Sequence, residues 1–123
     1  AGGEIVKHDA DNVFAVFPEA AQALAAAEAI QRQLAGQGLE TADGRSVGAS
    51  IGIDVGDILL IRETDFFGDA VNIASRLGED LAARGEILVS ERAWEAAGKP
   101  PGYAATEYVV SGMPITVLRR SFP

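Results

Sequence analysis

The stretch Asp65-Phe66-Phe67-Gly68-Asp69-Ala70-Val71-Asn72-Ile73-Ala74-Ser75-Arg76-Leu77 decides how the chain is read. From Asp69 onward the apolar residues fall at Ala70, Ile73, Ala74, Leu77 and Leu81. That is the spacing of a helix with one buried face, and it predicts a helix from Asp69 to about Ala82. Asn72 and Arg76 stand four residues apart and so share one side of that helix, close to its apolar stripe. Asparagine is a poor mid-helix residue. The pair can be read in two ways. Arg76 can offer forked donors to phosphate oxygens while Asn72 gives a neutral hydrogen bond. Equally, Arg76 can be a surface residue whose stem covers apolar area, with Asn72 an incidental polar position.

Strands and helices alternate on either side of this helix. Upstream, Arg62 to Gly68 reads as a turn, and Val47 to Ile61 as strand, with Gly52 and Gly56 marking bulges or close backbone approach. Gln37 to Ser46 is a polar loop. Before it, a helix is predicted from Pro18 to Ala35, stopped at Gly36, with Ala20, Ala23, Leu24, Ala27, Ile30 and Leu34 on its apolar face. Glu4 to Lys7 and Val13 to Phe17 form a hairpin across His8-Asp9-Ala10-Asp11-Asn12. Its carboxylates suit a hard cation such as Mg²⁺, but Asp9, Asp11 and Asn12 are also ordinary turn formers. Downstream, Ile87 to Val89 reads as a buried strand, and Ser90 caps a short helix carrying Trp94. Tyr108 to Val110 and Ile115 to Arg119 then form a hairpin across Gly112-Met113-Pro114. The mixture is α+β, with helices on one face of a largely antiparallel sheet.

Composition narrows the chemistry. The 123 residues suit one compact domain, and 48 % apolar with 23 % charged residues is the balance of a globular core. The absence of cysteine excludes disulfide scaffolds, zinc-thiolate sites, iron–sulfur clusters and thiol nucleophiles. The single histidine, His8, excludes a multi-histidine metal cage. A net charge of −8 repels nucleic acid and anionic membranes, so an anionic ligand needs a local basic pocket. No apolar run approaches the roughly 20 residues that span a bilayer, and no signal peptide is visible. A cytoplasmic location is expected.

In these residues the chain resembles the class III nucleotidyl cyclase catalytic domain, the homology group of adenylyl and guanylyl cyclases. Glu4-Ile5-Val6-Lys7, Asp11 and Phe14-Ala15-Val16-Phe17 look like its second block, Val47 to Gly56 like its central strand, Asp65 to Leu77 like its most characteristic block, and Glu86 to Ser90 like the strand that follows. The joint spacing of Lys7, Asp11, Asp65, Asn72 and Arg76 is the specific part. The resemblance implies a ferredoxin-like or palm-like fold that converts ATP to 3′,5′-cyclic AMP and pyrophosphate with two Mg²⁺ or Mn²⁺ ions. It makes Asp11 a metal ligand, Lys7 and Asp65 readers of the purine, Asn72 the residue that orients the ribose, and Arg76 the one that stabilises phosphoryl charge. It also implies a head-to-tail homodimer, the metal aspartates of one subunit completing the site of the other.

The resemblance is incomplete. The family's first strand carries a second metal aspartate well upstream of the first, and only ten residues precede Asp11 here. That strand and the next two helices are expected to be missing from this sequence, leaving a partial domain that is inactive alone. Ala10 replaces the usual glycine before the metal aspartate, Asp9 occupies a usually apolar position, and Met113 stands where some members carry a phosphate-binding lysine. The alternative is a catalytically inactive cyclase-homology module for nucleotide sensing or dimerisation.

Overall fold

A computed structural model describes residues 4–9, 12–37, 49–56, 59–61, 65–67, 69–110 and 112–122. The element order is β1 (Glu4–Asp9), β2 (Asn12–Val16), α1 (Ala20–Gln37), β3 (Ile51–Ile53), β4 (Leu59–Ile61), β5 (Asp65–Phe67), α2 (Asp69–Arg76), β6 (Glu86–Ser90), α3 (Glu91–Ala96), β7 (Ala104–Val110) and β8 (Met113–Ser121). A π-helical turn, Leu77–Leu81, extends α2. None of the described helices is long and apolar enough to cross a membrane.

The central sheet runs β3-β6-β8-β7. β6 pairs antiparallel with β8, and β8 with β7, while β3 runs parallel to β6. A parallel pair needs a crossover, and α2 lies within it. The α+β class and the mostly antiparallel pairing therefore hold. β6 is one of the two inner strands, and its Ile87, Leu88 and Val89 are fully buried because both faces of the sheet are covered. Ile87 and Val89 point to one side, where Leu24 and Ala27 of α1, Ala93 of α3, Ile53 and Leu118 complete a core. Leu88 points to the other, against Leu77 and Val117, with Ile73 and Leu81 packed beside them. The helices were expected together on one face of the sheet, but only α1 and α3 share a face. α2 and its π turn cover the reverse face, as strand alternation around Leu88 requires.

Several expected boundaries shift. The strand anticipated over Val47 to Ile61 is interrupted after Ile53, and residues 47 and 48 lie outside the described residues, as does the Gln37–Ser46 loop beyond Gln37. The Arg62–Gly68 turn contains a strand: Asp65, Phe66 and Phe67 of β5 pair with Ile61, Leu60 and Leu59 of β4. Two aromatic residues in a row favour extended backbone once a partner strand is available. The first hairpin is tighter than anticipated, because His8 pairs with Val13 and Asp9 with Asn12, and an irregularity falls between Ile5 and Lys7. The terminal hairpin is longer and turns at Gly112, whose φ of 79° favours glycine. In α1, Ile30 is 48 % exposed and Gln31 is buried in its place. Gln31 Nε2 donates to the carbonyls of Ala49 at 2.9 Å and Glu86 at 3.1 Å, which ties α1 to the lead-in of β3 and the start of β6.

Candidate functional site

The position of α2 is set by a glycine. A Cβ on Gly52 of β3 would collide with the carbonyl of Ala74, the amide of Gly78 and, at 2.8 Å, the Cβ of Leu77. Backbone therefore packs on backbone here, and Gly78 returns the contact, since its own Cβ would stand 3.0 Å from Gly52 N. Just beyond Arg76 the helix widens: the amide of Ala82 bonds to the carbonyl of Leu77 at 2.8 Å, five residues back. Such π turns are rare and often found at functional sites. Here the turn lets Leu77 and Leu81 both face the core while Gly78 touches β3.

This seating brings Asn72 and Arg76 to one surface. Both are exposed, and together with Ser75, Glu79 and Asp80 they line a hollow of about 460 Å³. Arg76 Nη1 lies 3.5 Å from Asp80 Oδ2. Glu79 and Asp80 were not among the anticipated site residues. Asp80 stands four residues beyond Arg76, so the helical spacing already carried that signal.

Lys7 and Asp65 lie in β1 and β5, and those two strands approach each other. Their side chains fall outside the described part of the structure. Asp11 lies outside the described residues. Among the described residues no group of three acidic or histidine side chains could hold a metal ion. The donor chemistry of Asp11 does fit Mg²⁺ or Mn²⁺, which prefer hard oxygen ligands.

A second polar cluster was not anticipated. The Asp54 side chain is fully buried at the end of β3. It accepts from Arg92 Nε at 2.8 Å, from Arg92 Nη2 at 2.5 Å and from the Ser90 hydroxyl. Ser90 Oγ also accepts from the Ala93 amide at 3.2 Å, which confirms the expected cap of α3. The cluster joins β3, β6 and α3. Its only trace in the sequence is one acid between Ile53 and Val55.

The fold as a whole is shared with solved cyclases. The chain is similar to the adenylate/guanylate cyclase/hydrolase of Silicibacter pomeroyi, with 32 % identity and a TM-score of 0.81, over 99 % of this chain and 73 % of that one. It belongs to the adenylate/guanylate cyclase family. A curated protein of Rhizobium meliloti (strain 1021) named "Putative adenylate cyclase 3" is 33 % identical over 89 residues, which is 72 % of this chain. The match spans only 15 % of that relative's length. The fold is also that of the guanylyl cyclase domain of the RhoGC fusion protein from the aquatic fungus Blastocladiella emersonii, at 24 % identity and TM-score 0.69, over 95 % of this chain and 70 % of that one. No protein-family model matches the chain. The cyclase fold thus embraces relatives named for either purine.

Proposed function

We propose that this cyclase domain converts ATP to 3′,5′-cyclic AMP. The ribose 3′-hydroxyl gives up its proton to water and its oxygen bonds to the α-phosphorus. The bond from that phosphorus to the bridging oxygen breaks, and pyrophosphate leaves. The observation that carries this proposal is the shared hollow of Asn72 and Arg76 on a helix seated by Gly52. The Asn72 amide holds the ribose, and the Arg76 guanidinium takes up charge on the transferring phosphoryl group. Two Mg²⁺ or Mn²⁺ ions, when bound, stabilise the negative 3′-oxygen and neutralise the triphosphate. Asp11 supplies one of their carboxylates, from the other subunit of a head-to-tail homodimer, and the domain works in the cytoplasm.

Lys7 and Asp65 select the base. Adenine presents an acceptor at N1 and a donor at N6, which a lysine and an aspartate complement. Guanine presents the reverse polarity, and mispaired groups in a base pocket cost orders of magnitude in selectivity. The approach of β1 to β5 supports the pairing of these two residues. Cyclisation of ATP and GTP by the full-length protein with Mn²⁺ tests it. ATP should be preferred, and Lys7→Glu combined with Asp65→Cys should move the preference toward GTP. A wild-type preference for GTP overturns the base assignment. Nucleotide binding without product from either would point to the sensing or dimerisation module.

A further inference from the structure

Arg76 has an anion of its own helix beside it. Its Nη1 lies 3.5 Å from Asp80 Oδ2, and the two side chains are 53 % and 55 % exposed. Asp80 also lines the hollow shared by Asn72 and Arg76. The contact spans the passage from α2 into the π turn, where Gly78 is held against Gly52. The backbone positions of both partners are therefore fixed by the sheet. A phosphate entering the hollow would meet a guanidinium already facing a carboxylate.

We propose that Asp80 sets the affinity of the nucleotide site by competing with substrate phosphate for Arg76. This inference rests on the assignment of Arg76 to the phosphoryl group. Carboxylate and phosphate are alternative partners for the same forked donors. Exposed ion pairs at this spacing are weak, so the exchange is reversible and costs about twofold in affinity. Asp80 touches no reacting atom. It regulates how readily Arg76 is given up, and its negative charge adds repulsion toward a polyanionic ligand. Glu79 lines the same hollow and serves as the control for charge alone.

Binding of 3′-deoxy-ATP, which lacks the attacking hydroxyl, to the full-length protein with Mn²⁺ tests the proposal by calorimetry. Asp80→Asn should tighten binding about twofold or somewhat more. Glu79→Gln should have a smaller effect, and Asp80→Asn should tighten binding less in an Arg76→Ala background than in wild type, because only the charge repulsion is then relieved. Loss of a merely structural residue would not raise affinity. Unchanged or weaker binding in Asp80→Asn overturns the proposal, as does equal tightening with Arg76 absent or from Glu79→Gln. Wild-type affinity in Arg76→Ala instead overturns the assignment of Arg76 to phosphate, a failure separable from that of Asp80.

Discussion

Gly52 is the residue on which the site geometry turns. Any side chain there pushes α2 away from β3, and with it Asn72 and Arg76. Gly52→Ala should cost about 1–3 kcal/mol, read from the urea midpoint, and should lower cyclase activity in conditions where the protein remains folded. Full activity in that variant would show that the close approach does not position the site. Asp54 poses a different constraint, since its buried carboxylate depends on Arg92 and Ser90. Arg92→Ala leaves one side of a buried acid unpaired and should cost about 2–3 kcal/mol in chemical unfolding, with Arg92→Lys recovering only part because it lacks the fork.

At the scale of elements, α1 is held to the sheet by polar groups as well as by Leu24 and Ala27. Gln31→Leu removes both donors to Ala49 and Glu86 and should cost about 1–3 kcal/mol in thermal or urea unfolding. On the same helix Glu28 accepts from the Tyr103 hydroxyl at 2.8 Å and from Arg120 Nη1 at 3.2 Å, joining α1 to β8. Burial, and then the adjacent Glu28, push the Tyr103 phenol well above the ordinary tyrosine value. The unfolded chain loses that proton near pH 10 while the folded chain keeps it. The folded state thus binds more protons, and the Tyr103 contribution is full below about pH 10 and declines as pH rises beyond it. Unfolding measured at pH 9 and pH 11 should show a steeper loss for wild type than for Tyr103→Phe, and parallel losses would contradict the assignment.

These elements also show how far the sequence could be read. The helix over Asp69 to Leu81 and the cap at Ser90 were legible because periodicity and capping are local. Gly52 was legible as a point of close approach, but what approaches it was not, since Gly78 lies 26 residues away. β5 escaped notice because three residues between polar turns carry no period. Gln31 escaped because a polar residue beside Ile30 reads as solvent-facing, and only the carbonyls of Ala49 and Glu86 explain its burial. Within the site, the α2 pair was readable from spacing. Asp80 was not singled out, although the same spacing applied to it.

At the scale of the whole molecule, the proposed reaction divides its residues between two subunits. Asn72 and Arg76 face one hollow, and in the proposed dimer the partner would contribute Asp11. In a head-to-tail dimer, an Asp11→Ala subunit paired with an Arg76→Ala subunit has one doubly damaged site and one intact site. Cyclic AMP formation from Mn²⁺-ATP by full-length Asp11→Ala and Arg76→Ala, separately and after subunit exchange, tests this most directly. Each variant alone should be nearly inactive, and an equal mixture should recover about a quarter of wild-type activity, because half of the dimers are mixed and each carries one working site. A mixture as inactive as its parents, or wild-type turnover by Arg76→Ala alone, would contradict it.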